Sequence, residues 1–391
     1  MTKDLTLFAF ADPSQLGLEV SPQSQAQAWQ QSQRFSTPSR RWNAYLNQLC
    51  LGTFLPWLRE EYPQATVWPN SAALPGFWEV VNASAIALDT TRLVLVPSET
   101  IDLSELRVPQ EWVDIPSWAG DYYLAAGVEP DSGLVKIWGF ATHQQLKNRG
   151  SYNAIDRTYC LDEDDLIKDI NVLWVARQLC PDEQTRAAIA PLPALTVTQA
   201  ENLISRLGSS DIVTPRLAVP FDLWGALLEH GGWRQRLYQR RQGVQEQWSI
   251  LQWLESGVSE VAQQLGWQRV GFQPSLAGAR GTEQISAPNS VLSRQLVIAG
   301  QPYELRVIPK GDPEKRIWRF ELRNSSLNER IPRGLKLRLL TEDLLPFENN
   351  EAVAKTTVDK LYIEVALEPG EGLVWEIDPV PENYDREILR F

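Results

Sequence analysis

Trp42, Tyr45, Leu46, Leu49, Phe54, Trp57 and Leu58 recur at three- and four-residue steps, which places them on one face of a helix. Ser39 offers an N-cap hydroxyl and Pro63 a stop, so the pattern predicts a helix between them that buries a broad aromatic stripe. Ahead of it, the Gln- and Ser-rich stretch from Pro22 to Phe35 is polar and helix-compatible, with Trp29 as its main apolar anchor. After Pro63 the periodicity changes. Phe77–Leu88, Arg92–Pro97, Tyr122–Val128 and Leu134–Phe140 are short, rich in β-branched and aromatic residues, and separated by Pro, Gly and Asp, as strands are. The last two read as a hairpin turning at Glu129-Pro130-Asp131-Ser132-Gly133, because Pro presets φ and Gly accepts positive φ. Helical spacing returns from Asp162 to Leu179, with Leu166, Ile170, Leu173 and Trp174 on one side. Residues 1–180 therefore read as an α+β domain whose helices cover a sheet.

Pro181, Pro191, Pro193, Pro215 and Pro220 punctuate the next stretch. It carries a short helical piece at Gln199–Leu207 and an amphipathic pattern from Phe221 to Gln242, broken at Gly231-Gly232. Residues 181–247 read as a Pro-rich, helical connector. Trp248, Leu251, Trp253 and Leu254 open another segment, and Leu254, Val258, Val261 and Leu265 keep helical spacing up to Gly266. Six strand-like runs follow, at Gln295–Ile298, Tyr303–Ile308, Ile317–Leu322, Leu335–Leu340, Leu361–Leu367 and Leu373–Ile377. Turn signals at Gly300-Gln301, Gly311-Asp312, Asn324-Ser325 and Pro369-Gly370-Glu371-Gly372 divide them, and Ser275–Asn289 reads as a mobile loop. Alternation in WRFELRN and LKLRLLTE is that of strands with one wet face. The fold class is α+β: a mixed helix/sheet domain, the connector, and a C-terminal antiparallel β-sandwich-like domain over 248–391.

Composition agrees with folded domains. The chain has 391 residues, 43% hydrophobic and 22% charged, and at about 150 residues per domain its length suits two or three of them. A net charge of -12 opposes a phosphate backbone and argues against direct nucleic-acid binding. No apolar run approaches the roughly 18 residues of a spanning helix, so no membrane insertion is expected. Met1–Asp12 carries Asp4 and too short an apolar stretch for a secretory leader, and the cysteines, Cys50, Cys160 and Cys180, are odd in number. The expectation is a cytoplasmic protein with reduced, mostly buried thiols.

Little conventional chemistry is visible. His143 and His230 are the only histidines, and neither stands at zinc-ligand spacing from a Cys. Phosphate-cradling, dinucleotide, nucleophile-elbow and HExxH signatures are absent, so no cofactor, metal or catalytic residue is assigned. The run Asp162-Glu163-Asp164-Asp165 stands where it can cap the following helix; its alternative is a hard-cation site. Among 16 tryptophans, Trp112 and Trp118 lie in a Pro-rich extended stretch and are the best candidates for exposed rings that stack on a ligand or partner. Arg234, Arg236, Arg240 and Arg241 form the one basic cluster, either a solvated helix face or a surface for an acidic partner.

Several stretches together resemble a cyanobacterial family known only as domain of unknown function 1822. They are Pro109–Pro116, Asp121–Leu124, Trp138–His143, Arg157–Leu161 with Asp165–Ile167, Leu251–Leu254, Gly266–Gln268, Ile331–Leu335 and Glu368–Gly372. The family has no established catalytic residues to transfer. Its gene neighbourhoods, which include alternative sigma factors and signalling proteins, imply regulation by protein contact. The favoured expectation is therefore a non-catalytic cytoplasmic regulatory or adaptor protein that binds another protein, a sigma factor or signalling protein among the possible partners. The alternative is a glycan- or small-molecule-binding module using Trp112 and Trp118; an enzyme without a local motif, built on His143, Cys160 or Asp162–Asp165, comes last.

Overall fold

The structure, a computed structural model, describes residues 15–99, 104–180, 182–209, 211–244, 249–271, 290–311, 315–326 and 329–391. Met1–Asp12, Trp248, the turn at Asp312 and the loop expected at Ser275–Asn289 lie outside the described residues. The chain forms two compact units. The first comprises the chain up to Leu195 with Ala200–His230 and Arg234–Val244; the second takes Thr196–Gln199, Gly231–Trp233 and the chain beyond Val244. Most of the stretch read as a connector thus counts with the first unit.

The first unit begins β1 (Leu16–Glu19), α1 (Pro22–Ser32), α2 (Pro38–Glu61), β2 (Thr66–Trp68), α3 (Leu74–Trp78), β3 (Ser84–Leu88) and β4 (Thr91–Ser98). It continues β5 (Glu105–Pro109), α4 (Glu111–Asp114), β6 (Tyr122–Glu129), β7 (Leu134–Thr142), α5 (His143–Arg149), β8 (Ser151–Asn153) and β9 (Thr158–Asp162). The helices α6 (Asn171–Leu179), α7 (Val197–Leu207), α8 (Phe221–Glu229) and α9 (Gly231–Arg241) follow, the first three residues of α7 and of α9 counting with the second unit. One sheet runs β1-β7-β6-β4-β3-β2 and a smaller one β5-β9-β8. All pairings in them are antiparallel except β4 with β6. That parallel pair stands at the centre of the larger sheet and is apolar on both faces, as a doubly covered pair requires. Ser84, in line with Leu95 and Leu124, meets Asn47 of α2 at 3.0 Å, which puts α2 on that face. Tyr123 points the other way and donates its hydroxyl to the Trp112 carbonyl of α4 at 2.7 Å.

Two buried carboxylates tie later segments to this sheet. Glu111 accepts from Arg216 Nε at 2.8 Å, Arg216 Nη2 at 2.6 Å and the Trp224 indole at 2.7 Å. Glu79 accepts from Arg241 Nε at 2.8 Å, and both side chains are fully buried. Arg241 also donates to the carbonyls of Leu207 at 2.9 Å and Ile212 at 3.1 Å.

The second unit holds α10 (Ile250–Ser256), α11 (Glu260–Gln264), β10 (Trp267–Gly271), β11 (Ser290–Ile298), β12 (Gln301–Lys310) and β13 (Ile317–Asn324). It closes with β14 (Lys336–Thr341), β15 (Glu351–Val353), β16 (Lys360–Ala366), β17 (Gly372–Asp378) and β18 (Ile388–Arg390). Two antiparallel sheets, β10-β11-β12-β13-β16 and β15-β14-β17-β18, share one core. Leu305, Val307, Phe320 and Ile363 from one sheet and Leu337, Leu339, Trp375 and Leu389 from the other lie in it, the sandwich that the alternation predicts. Into that core Arg294 projects and pairs with Glu387, which also accepts from the indoles of Trp267 at 3.0 Å and Trp375 at 3.3 Å. The side of β12 and β13 away from the core is polar, with Glu304 opposite Arg323 and Arg306 opposite Glu321, both carboxylates buried.

Four local expectations differ from the fold. Thr37, not Ser39, caps α2, its hydroxyl accepting from the Arg40 backbone N–H at 3.3 Å, and Ser39 lies within the helix. Phe77–Leu88 is not one strand: Pro75 starts the short helix α3, and Ala83 at φ 92° turns the chain into β3. The helix expected from Asp162 starts only at Asn171, because Ile167 exchanges backbone hydrogen bonds with Phe140, both at 2.9 Å. Its acidic run forms a 3-10 turn, Glu163–Asp165, instead of a helix cap. The helix over 248–265 breaks in two at Gly257, whose φ of 102° favours glycine.

Arg216→Met should leave Glu111 buried and uncompensated at a cost of about 3–5 kcal/mol. Adding Glu111→Gln should restore much of the loss, since the neutral amide no longer needs a counter-charge. Urea midpoints of the wild type, the single and the double variant check both statements.

Candidate docking face

The six residues selected as binding candidates do not form one surface. Trp112 and Trp118 are each only 1% exposed, which corrects the expectation of exposed rings. The Trp112 indole donates to the Asn82 carbonyl at 2.8 Å, and Trp118 packs against Phe77 and Trp112 at centroid distances of 4.4 and 5.2 Å. A Pro-rich stretch reads as exposed because its backbone breaks regular structure, but here it folds through the short helix α4 and both rings turn inward. Those rings offer no stacking platform to a ligand.

The arginine cluster divides by helical geometry. Arg234 and Arg241, seven positions apart, share the buried side of α9. The Arg234 guanidinium lies 4.1 Å from the Phe77 ring centroid and 5.4 Å from that of Trp118, so Arg234, Trp112 and Trp118 meet inside the first unit. Arg241 is held by Glu79. Arg236 and Arg240 take the other side: Arg236 is part-buried, with Glu201 3.7 Å away, and Arg240 is exposed.

The groups named for an enzyme reading have structural duties. His143 is buried; its Nδ1 accepts from the Ala187 backbone N–H at 3.1 Å, which leaves Nε2–H to donate to the Val113 carbonyl at 2.9 Å. Burial, with the charges of Lys147 and Arg186, holds its pKa below the usual histidine value. Burial pushes the Cys50 thiol up to about 12 and raises that of Cys160, opposite to what a nucleophile needs. Lys147 donates to Asp114 at 2.9 Å and to the Tyr159 hydroxyl at 2.7 Å, and Tyr159 donates to Asp114 at 2.8 Å. Burial alone would lower the Lys147 pKa, but these two hydrogen bonds carry it above the ordinary value. The ring of bonds is a cationic clamp joining α4, α5 and β9.

In the sandwich an open groove of about 750 Å³ is lined by Gln295, Glu304, Arg306, Arg323, Asp359 and Lys360, with other polar residues. Its charges compensate one another. Arg306 pairs with Glu304, Arg323 and Lys360 with Glu321, and Asp359 with Arg330.

The surface with unmet physical demand is on α6. Six of the nine residues in NVLWVARQL are apolar, more than its buried side takes up. Leu173 and Trp174 face inward, with Trp174 packed on Trp57 at 6.4 Å and on Tyr62 at 5.3 Å, the C-terminal end of α2. Val172, Val175 and Leu179, three and four positions apart, share the opposite side and are 45%, 51% and 75% exposed. Cys180 ends the row with an exposed thiol. Acidic residues flank it in the chain: Asp162, Asp164 and Asp165 before, Asp182 and Glu183 after, all exposed. The nearby cations are engaged, Lys168 with Glu163 at 2.8 Å and Arg177 with Asp89 at 3.3 Å. Sequence reasoning assigned Leu173 and Trp174 to the core side and passed over the second apolar row; the signal was the excess of apolar residues over what one face can hold.

The depressed pKa of His143 makes stability fall in mild acid. Above about pH 6.5, the unfolded value, His143 is neutral in both states and contributes no slope. As pH falls through that value the unfolded chain takes up a proton that the folded chain refuses, so stability declines until the native pKa is reached. Urea midpoints measured from pH 7.5 to about 5 should fall less steeply in His143→Gln than in the wild type.

Comparison with known proteins adds one match. A model described as "Protein of unknown function (DUF1822)" matches residues 18–390. No curated protein matches the chain, and no solved structure does. With the match running through both units, from β1 to β18, the chain belongs to the DUF1822 family.

Proposed function

We propose that this chain is a non-catalytic regulatory or adaptor protein that works by binding another protein, with α6 in the contact surface. The observation that carries the reading is the exposed row Val172, Val175 and Leu179 on a helix whose other side is already anchored. Apolar area left in water costs about 25 cal/mol per Å², and a partner laid over the row removes that cost. The buried, hydrogen-bonded state of His143 and the raised thiols of Cys50 and Cys160 fit a role in which recognition, not bond making, is the task. A sigma factor or signalling protein of a cyanobacterial cytoplasm is the partner class proposed. The exposed Arg240 and part-exposed Arg236 form a second, smaller contact for an acidic patch.

Affinity purification of the tagged chain from a cyanobacterial lysate, at low and moderate salt, tests this. The wild type should retain a partner in fixed ratio, and the double variant Val175→Glu with Leu179→Glu should lose it. The variant's own stability should stay within about 0.5 kcal/mol of the wild type, as expected of exposed positions. A wild type that recovers no stoichiometric partner, or a variant that keeps it, overturns the proposal.

A further inference from the structure

We infer that the ligand of the α6 face is a basic amphipathic helix. This rests on the docking role proposed for α6 and adds the chemistry of what docks. Two features of the face select that partner. The apolar row spans Val172 to Leu179, seven positions at 1.5 Å each, and its i, i+3, i+7 spacing matches two turns of a second helix laid against it. The chain on either side of the helix is acidic, with exposed Asp162, Asp164 and Asp165 before it and exposed Asp182 and Glu183 after it. Lys168 and Arg177, the cations within and beside the helix, already serve Glu163 and Asp89. Over 162–183 seven Asp and Glu stand against two Lys and Arg, a net charge of -5, so the segment that carries α6 is complementary to a basic one. A segment with Leu-type residues on one face and Lys or Arg around them satisfies both features; an acidic or a purely polar segment satisfies neither.

The probe is a fluorescein-labelled peptide of roughly 18 residues, a length that supports a helix, with Leu on one face and Lys elsewhere, titrated with the full chain by anisotropy. Two controls accompany it, one with the same composition but shuffled so that no apolar face forms, and one with Glu in place of Lys. Binding of the Lys/Leu peptide should weaken several-fold as ionic strength rises from 0.05 to about 0.2 M, where screening shortens the reach of exposed charges. Val175→Glu with Leu179→Glu should weaken it at least ten-fold. Asp164→Asn with Asp165→Asn and Glu183→Gln should slow association and flatten the salt dependence, leaving the apolar row intact. The inference is overturned if the shuffled or the acidic peptide binds as well as the probe, or if neither set of substitutions changes binding. A cellular partner that is lost with Val175→Glu and Leu179→Glu, but held equally at all salt concentrations, would overturn this inference alone and leave the docking role of α6 standing.

Discussion

Glu111 is a carboxylate with no access to water, and an ion in that position exists only with its counter-charge and hydrogen-bond donors in place. Arg216, 105 positions away in the chain, supplies most of them, and the arrangement of the first unit follows from where that guanidinium must stand. The same guanidinium reaches the carbonyls of Asp156 at 2.6 Å and Arg157 at 3.0 Å, at the turn between β8 and β9. Arg157 in turn donates to the carbonyls of Arg216 and Val219. One ionic contact therefore sets the position of a helix start, a hairpin turn and the approach to α8. Glu79 with Arg241 repeats the device farther along, where the Arg holds the chain beyond α7 through its carbonyls. The Pro-rich stretch would be a loose tether by composition; these two pairs make it part of a packed unit.

Against this interior, α6 is a contrast. Its inner side is fastened by aromatic packing while its outer side keeps three aliphatic side chains in water. Exposed apolar rows of this kind invite aggregation unless charge keeps other copies away. On the docking role proposed for α6, the acidic residues before and after the helix in the chain would meet that need, since like charges repel, and would attract a basic segment. On that proposal, repulsion between copies and selectivity for a partner draw on one set of carboxylates.

Much of the architecture was legible where the pattern was strong. The Trp42 helix, the 122–142 hairpin and the alternating strands of the sandwich each carry a repeat that a single face explains. What the sequence hides is anything decided by long-range pairing. Trp112 and Trp118 look exposed because the burying groups, Phe77 and Arg234, are remote in the chain. Arg234 and Arg241 look like surface charge until the positions of Phe77 and Glu79 are known. The α6 row failed for a different reason: Leu173 and Trp174 already accounted for a core face, and apolar residues in excess of one face were not counted.

The alternating charges on the outer side of β12 and β13 have a consequence for folding. Hydrophobic alternation rejects a one-residue slip between strands, since that would turn the core residues to water, but it is blind to a slip of two. In the native register Glu304 faces Arg323 and Arg306 faces Glu321. Shifting β13 by two positions sets Glu304 against Glu321 and Arg306 against Arg319, like charge on like, while every apolar side chain still points inward. The polar face of the sandwich therefore acts as an error check on strand alignment, discriminating between two registers that the core alone would accept equally.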